Sequence, residues 1–314
     1  MLNFTGVDRK HFLPASVGTV VNRRWTYLAF AANVLVWGYN WVPLHLLLAH
    51  VGPATLAAAR VFGGATALLV AMLVMRKPIA VPKSPMFLAV GLLQVSGMIG
   101  LSTFALLFGD VSRTSILVFT MPFWATIFSR LLLKEQIGRQ RWAGLAIALC
   151  GVLFIAAHTS ANLRPLLGAA FAVTAGACWA GGSVLAKRYL QSEDMLSSVV
   201  WQQFVGALPL IALALVLREP FTDPSPNAIA VFVFVAVVGS GLGWLLWATV
   251  LSRVTASQAS LGSLFIPLIA AAAAFLQLHE RPDGVSVLGL SAILVAILIA
   301  SWPVRQRQGV AAAE

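Results

Sequence analysis

Two stretches decide the reading of this chain: Ser115–Glu135, SILVFTMPFWATIFSRLLLKE, and Ser260–Glu280, SLGSLFIPLIAAAAAFLQLHE. Each is an apolar run of about 20 residues, the length of a helix that crosses a bilayer. Each carries a proline, Pro122 or Pro267, followed 13 residues later by a glutamate, Glu135 or Glu280. Ser115 matches Ser260 and Gly144 matches Gly289 at the same shift of 145 residues. A bilayer-length run that recurs with its proline and its terminal acid in register is the mark of a duplicated membrane unit.

Working outward, the whole chain has this character. Of 314 residues 60% are hydrophobic and only 10% are charged, where a water-soluble domain carries roughly 25% charged residues. Ten segments qualify as spans, approximately 26–48, 54–75, 86–108, 112–132, 140–157, 166–189, 195–217, 227–250, 256–278 and 285–303. Short joints with turn and charge signals separate them, such as Arg76-Lys77-Pro78 and Glu219-Pro220-Phe221-Thr222-Asp223-Pro224. The predicted fold is an all-α membrane protein of ten transmembrane helices.

The basic residues set the orientation. With a cytoplasmic N-terminus, 16 Lys and Arg fall inside and four, Arg113, Arg164, Arg218 and Arg281, fall outside, as the positive-inside rule demands. Both termini are then cytoplasmic. The net charge of +11 flanks apolar spans and forms no stripe on a soluble face, so nucleic acid is not the partner. Phe12–Val21 is too short to span, and residues 1–24 read as a cytoplasmic tail, not a cleaved leader. Residues 305–314 form a second tail. Cys150 and Cys178 sit in apolar runs and suggest packing, not a disulfide framework.

The earlier part of each half repeats at a shift of about 142 residues. Trp37-Gly38 meets Trp179-Ala180, His45 meets Lys187, and Arg60-Val61-Phe62-Gly63-Gly64-Ala65 meets Gln202-Gln203-Phe204-Val205-Gly206-Ala207. The units are 25–160 and 161–304, with five spans each. Five is odd, so the second unit enters the membrane from the other side. The expected architecture is a five-plus-five inverted repeat, with a substrate site near the midplane where helices 1, 3, 4, 6, 8 and 9 meet.

The Trp37-Gly38 element, Arg60, the segment Phe119-Thr120-Met121-Pro122-Phe123-Trp124 with Lys134-Glu135, and the second copy from Ser257-Gln258-Ala259-Ser260-Leu261 through Pro267 to Glu280 resemble the EamA-type unit of the drug/metabolite transporter superfamily. The resemblance runs from about Arg24 to Pro303. It implies ten helices and export of amino acids or other metabolites, and the sequence is most similar to bacterial aromatic amino acid exporters. The second half departs by placing Gln202 where the first has Arg60, so the site should be asymmetric.

Polar and aromatic residues within spans are the candidate substrate-binding groups. Helix 1 offers Asn33, Trp37, Tyr39 and Asn40, and Asn33, Trp37 and Asn40 share a face. An aromatic and amide face suits a zwitterion with an apolar side chain. Helix–helix hydrogen bonding by the amides is the alternative. Gln94, Trp179, Gln202, Trp244, Trp247 and Ser263 complete the set. Pro122 and Pro267 free the carbonyls of Val118 and Ser263 and are the expected hinges. Arg60 could attract a carboxylate, but its place near the outer end of helix 2 favours a structural tie or snorkelling. No carboxylate lies at mid-span and no His-Glu-x-x-His motif occurs. The chain is therefore read as having no catalytic residues, no bound metal and no cofactor. Its partners are a small-molecule substrate and membrane lipids, with oligomeric state open. Export of uncharged or cationic drugs or nucleoside-like metabolites, or intramembrane enzymology, are the competing functions.

Overall fold

The computed structural model describes residues 23–157, 163–219, 222, 225–281 and 283–301. The tails at 1–22 and 305–314 lie outside them. Among the described residues the regular structure is helical and forms ten rods. They are α1 (Arg23–Leu47), α2 (Pro53–Val74), α3 (Met86–Ala105), α4 (Val111–Leu133), α5 (Arg139–Ala157), α6 (Leu163–Tyr189), α7 (Met195–Leu217), α8 (Pro226–Arg253), α9 (Ala256–Gln277) and α10 (Gly284–Ser301). Seven of them, α2, α3, α4, α6, α7, α8 and α9, are long and apolar enough to cross a membrane.

The ends of the rods are where the sequence acts most locally. Asp110, Asp194, Ser225, Thr255 and Asp283 each accept a hydrogen bond from the backbone N–H three residues on. These side chains satisfy donors that a helix N-terminus otherwise leaves unpaired. Ser286, through its side chain first and its backbone second, holds the Asp283 carboxyl below the usual carboxylate range, and Arg113 adds to this at 2.7 Å. At the other ends, Arg76, Lys134, Arg218 and His279 adopt left-handed backbone at φ 52°, 54°, 49° and 55°. That conformation costs a non-glycine residue about 1–2 kcal/mol. It closes α2, α4, α7 and α9, and it sets a basic side chain near the negative pole of each helix.

Rods are joined by close backbone approach as much as by apolar bulk, because lipid tails compete equally for apolar surface. Gly64 of α2 lies so near α8 that a methyl group there would stand 2.7 Å from the Ala236 oxygen. Gly206 of α7 is pressed in the same way against Val95 and the Gly91 carbonyl of α3. The two surfaces that receive these glycines are widened, π-helical stretches, Leu92–Gly100 in α3 and Phe234–Leu242 in α8. α2 packs against α7, α5 against α10, α1 against α8 and α9, and α6 against α3 and α4.

α4 and α9 are not continuous. α4 stops at Val118 and restarts at Met121; α9 stops at Gly262 and restarts at Phe265. Pro122 and Pro267 lie just beyond these breaks. Without an N–H, Pro122 leaves the Val118 carbonyl free, and that carbonyl abuts Gly176 of α6, which has no side chain to block it.

The far ends of the same two rods are tied to each other. Glu135, just past α4, accepts from the Ala256 N–H at 3.2 Å and the Ser257 hydroxyl at 2.8 Å, at the start of α9. Glu280, just past α9, accepts from the Val111 N–H at 3.3 Å and from the Ser112 N–H and hydroxyl at 3.4 Å, at the start of α4. Each acid thus caps the positive pole of the other rod.

Candidate substrate site

α1 enters the centre of the bundle with one polar face turned to α8. Asn33, fully buried, donates from Nδ2 to the Gly243 carbonyl at 2.9 Å. Trp37 donates from Nε1 to the Gly239 carbonyl at 3.0 Å. Asn40 lies against Gly239 itself. Spacings of four and three residues put all three on that face, and glycines at 239 and 243 let the indole and amide approach the α8 backbone.

Around Trp37 the structure assembles a layer of four indoles. Ring centroids of Trp37 and Trp179 are 5.3 Å apart, Trp37 and Trp244 5.1 Å, Trp37 and Trp247 5.8 Å, and Trp179 and Trp247 5.1 Å. Phe119, at the break in α4, meets Trp179 edge-on at 5.3 Å. Edge-to-face contacts at these distances are the favoured aromatic geometry. The Nε1 donors of Trp179 and Trp247 are buried without a partner.

Two cavities flank this layer and both touch Trp244. The larger, about 660 Å³ including its mouth, lies among the end of α6, the start of α7 and the end of α8. Gln94, Gln202, Gln203, Ser198, Lys187 and Trp247 are among its walls. Lys187 donates to the Leu251 and Val254 carbonyls at 2.8 and 2.6 Å, closing the C-terminus of α8, and Gln94 donates to the Ser183 hydroxyl at 2.9 Å. Glu193, also on the wall, accepts from the Ser84 N–H at 3.1 Å. This cavity carries both signs of charge.

The smaller, about 500 Å³ including its mouth, lies among α1, α2, α3 and α8. Its walls include Trp37, Trp41, Trp179, Trp244 and Phe119, with polar groups from Asn40, Ser102, Thr103 and Arg60. Among the described residues no acidic one lines it. Among the described residues no cluster of His, Cys, Asp or Glu is arranged to hold a metal ion.

The sequence candidates therefore separate. Trp37, Asn40, Trp179 and Trp244 meet at the smaller cavity, and Gln94, Gln202, Trp244 and Trp247 at the larger. Asn33 is spent on a helix–helix hydrogen bond and lines neither. Tyr39 points away from both, exposed beside Phe234 with its hydroxyl 3.4 Å from Gln277. Ser263 is buried at the break in α9, donating to the Ser260 carbonyl at 2.7 Å. Pro122 and Pro267 sit at the breaks, outside both cavities. Trp41, Phe119, Ser102 and Thr103 were not among the sequence candidates, and Arg60 was weighed there but given a structural role. Arg60 had a signal, as a charge within a span. Ser102 and Thr103 had none, since both donate to the Ile99 carbonyl of their own helix.

The family model for EamA-like transporters matches this chain twice, at residues 24–157 and 166–302. The chain belongs to the EamA-like transporter family. This EamA protein is a multi-pass membrane protein, and named relatives align along most of it. "Uncharacterized transporter YoaV" of Bacillus subtilis is 27% identical over 90% of this chain and 98% of its own. "Probable amino-acid metabolite efflux pump" of Salmonella typhimurium is 29% identical over 88% and 94%, and the protein so named in Escherichia coli 26% over 88% and 95%. A solved crystal structure shares the fold, with a TM-score of 0.70 at 18% identity over 88% of this chain and 96% of that one.

Proposed function

We propose that this EamA transporter exports small metabolites, amino acids with aromatic ones preferred, across a bacterial-type cytoplasmic membrane with both termini inside. Its ten rods would all span, and its two five-helix units would form an inverted repeat that alternates access to a central site. Transport, not catalysis, is the activity.

The observation that carries this reading is the tryptophan layer with a cavity on each side. By chain order the smaller cavity reaches toward the α1–α2 and α3–α4 connections, which follow odd-numbered rods. The larger reaches toward the α6–α7 and α8–α9 connections, which follow even-numbered ones. In an up-and-down bundle these are opposite membrane faces. A barrier of planar, apolar side chains between two vestibules suits a planar, apolar cargo.

The inverted repeat has its own support. The widened stretches Leu92–Gly100 and Phe234–Leu242 are offset by 142 residues, as are Gly64 and Gly206, and the left-handed Arg76 and Arg218. The reciprocal caps Glu135–Ser257 and Glu280–Ser112 match at 145, and the helix breaks fall within one residue of that shift. Caps of this kind at opposite ends of α4 and α9 suit two gates of like construction. The names of the Salmonella and Escherichia relatives point to amino-acid metabolites as cargo.

The test is counterflow in proteoliposomes. Labelled tryptophan, phenylalanine and tyrosine should exchange with saturation, and leucine and glutamine should exchange more slowly. Absence of saturable flux for every amino acid would sink the substrate assignment.

A further inference from the structure

Arg60 is the group that neither the fold nor the tryptophan layer accounts for. It lies eight positions into α2 and is only 5% exposed. Its Nε is buried without a partner, and among the described residues no group pairs with its guanidinium or accepts a hydrogen bond from it. The two structural roles open to such a residue are thereby closed. It ties α2 to no neighbour, and at this burial its head does not snorkel to the membrane surface. It faces the smaller cavity, whose other described wall residues carry no charge. An uncompensated guanidinium there is costly. It also sets a positive potential in a space bounded by low-dielectric aromatic walls.

We propose that Arg60 is the recognition point for the substrate's carboxylate, and that the site accepts aromatic monocarboxylates whether or not they carry an α-amino group. This rests on the transport reading above. The guanidinium is a planar fork matched to a carboxylate, and pairs of this kind are among the strongest neutral-pH contacts. The walls beside it, Trp37, Trp41, Trp179 and Phe119, suit an aromatic ring. Among the described residues of this wall no acid waits for the ammonium of an amino acid. Among the described residues the one buried acceptor without a partner on this wall is the neutral Asn40 Oδ1. The ammonium would gain a single charge-assisted hydrogen bond there, a preference and not a requirement. The larger cavity, with both Lys187 and Glu193 on its wall, has no such imbalance. Gln202, which takes the place of Arg60 in the second unit, lines that larger cavity, so the charge marks one side of the layer only.

The experiment uses three probes against labelled tryptophan counterflow: unlabelled tryptophan, indole-3-propionate, which keeps the carboxylate and lacks the amine, and tryptamine, which does the reverse. Indole-3-propionate should compete within about a hundredfold of tryptophan, the factor set by one hydrogen bond from a charged donor. Tryptamine should not compete. Arg60→Gln should raise the half-saturating concentration of both carboxylates at least about tenfold, and Arg60→Lys should restore part of the loss. Thermal unfolding of purified protein reads the same contact without transport. Indole-3-propionate should stabilise wild type and leave Arg60→Gln unmoved, while Arg60→Gln alone should unfold no lower than wild type, because it removes an unpaired charge. Equal competition by tryptamine, equal stabilisation of both proteins by indole-3-propionate, or its failure to stabilise wild type would overturn the assignment. If tryptophan does not move but the carboxylate still stabilises wild type alone, the amino-acid reading fails and the role of Arg60 stands.

Discussion

Substituting Gly243 by alanine tests the packing that places the tryptophan layer. A methyl group at Gly243 would collide with Trp37 Nε1 and would lie 2.8 Å from its Cδ1 and 3.2 Å from its Cε2. The indole is a rigid wall. It is held by the 3.0 Å bond to Gly239 and by contacts with three other indoles. Forcing a methyl into such a site costs about 1–3 kcal/mol. Pushing the indole aside also breaks its hydrogen bond, worth about 1 kcal/mol, and strands a buried donor. The expected destabilisation is therefore about 2–4 kcal/mol. Trp37→Leu removes the obstacle, and in that background Gly243→Ala should cost nothing or gain up to about 1 kcal/mol from helix propensity. The double-mutant cycle then yields a coupling of about 3 kcal/mol. Gly181 supplies the control: a methyl there would lie 3.6 Å from Leu93 and 3.8 Å from Phe128, ordinary contacts. Gly181→Ala should be neutral or stabilising. The measurement is equilibrium unfolding in detergent, followed by tryptophan fluorescence. Equal penalties for Gly243→Ala in the two backgrounds, or none in either, would refute the packing described for α1 and α8.

Two further outcomes follow from the caps. Glu135→Gln and Glu280→Gln should each lower stability by about 0.5–1.5 kcal/mol, since each removes an anion from a helix N-terminus while keeping its shape. α4 is 23 residues long, about 35 Å at 1.5 Å per residue, so the two effects should add in the double variant to within about 0.5 kcal/mol; a clearly non-additive result on thermal unfolding would contradict two separate caps. The Asp283 carboxyl is held low by Ser286 and Arg113. Its lowered pKa makes its contribution present above the unfolded-state value and lost as pH falls through the folded one. Wild type should therefore lose melting temperature below about pH 5 more steeply than Asp283→Asn, and parallel curves would remove Asp283 as a source of that slope.

Hydropathy alone marks the rods, because a bilayer-length apolar run has one stable fate in lipid. The 142- and 145-residue shifts were also legible, and the structural features that recur at those shifts are more specific than the sequence matches. What the matched glutamates do was not legible. Glu135 and the groups that donate to it, at Ala256 and Ser257, are more than a hundred residues apart, and a carboxylate beside Lys134 reads equally well as a solvated end. Breaks in α4 and α9 were foreshadowed by Pro122 and Pro267, but the space for the freed Val118 carbonyl comes from Gly176 on another rod.

By itself, then, the amino-acid order determined a helical, membrane-embedded chain, its caps and stops, and the tryptophan and amide content of its interior. Those follow from local hydrogen bonding and from the cost of polar groups in lipid. Only the tertiary structure decided which face of each rod is the inside. Tyr39 and Asn40 are neighbours in the chain, yet one is exposed beside Phe234 and the other lines a cavity. Spacing sets Asn40 on a face with Asn33 and Trp37 and leaves Tyr39 off it, but which face turns inward is decided by the rods packed against α1. Arg60 was legible as a charge within a span, but its meaning depends on having no partner among the described residues of the rods packed against it.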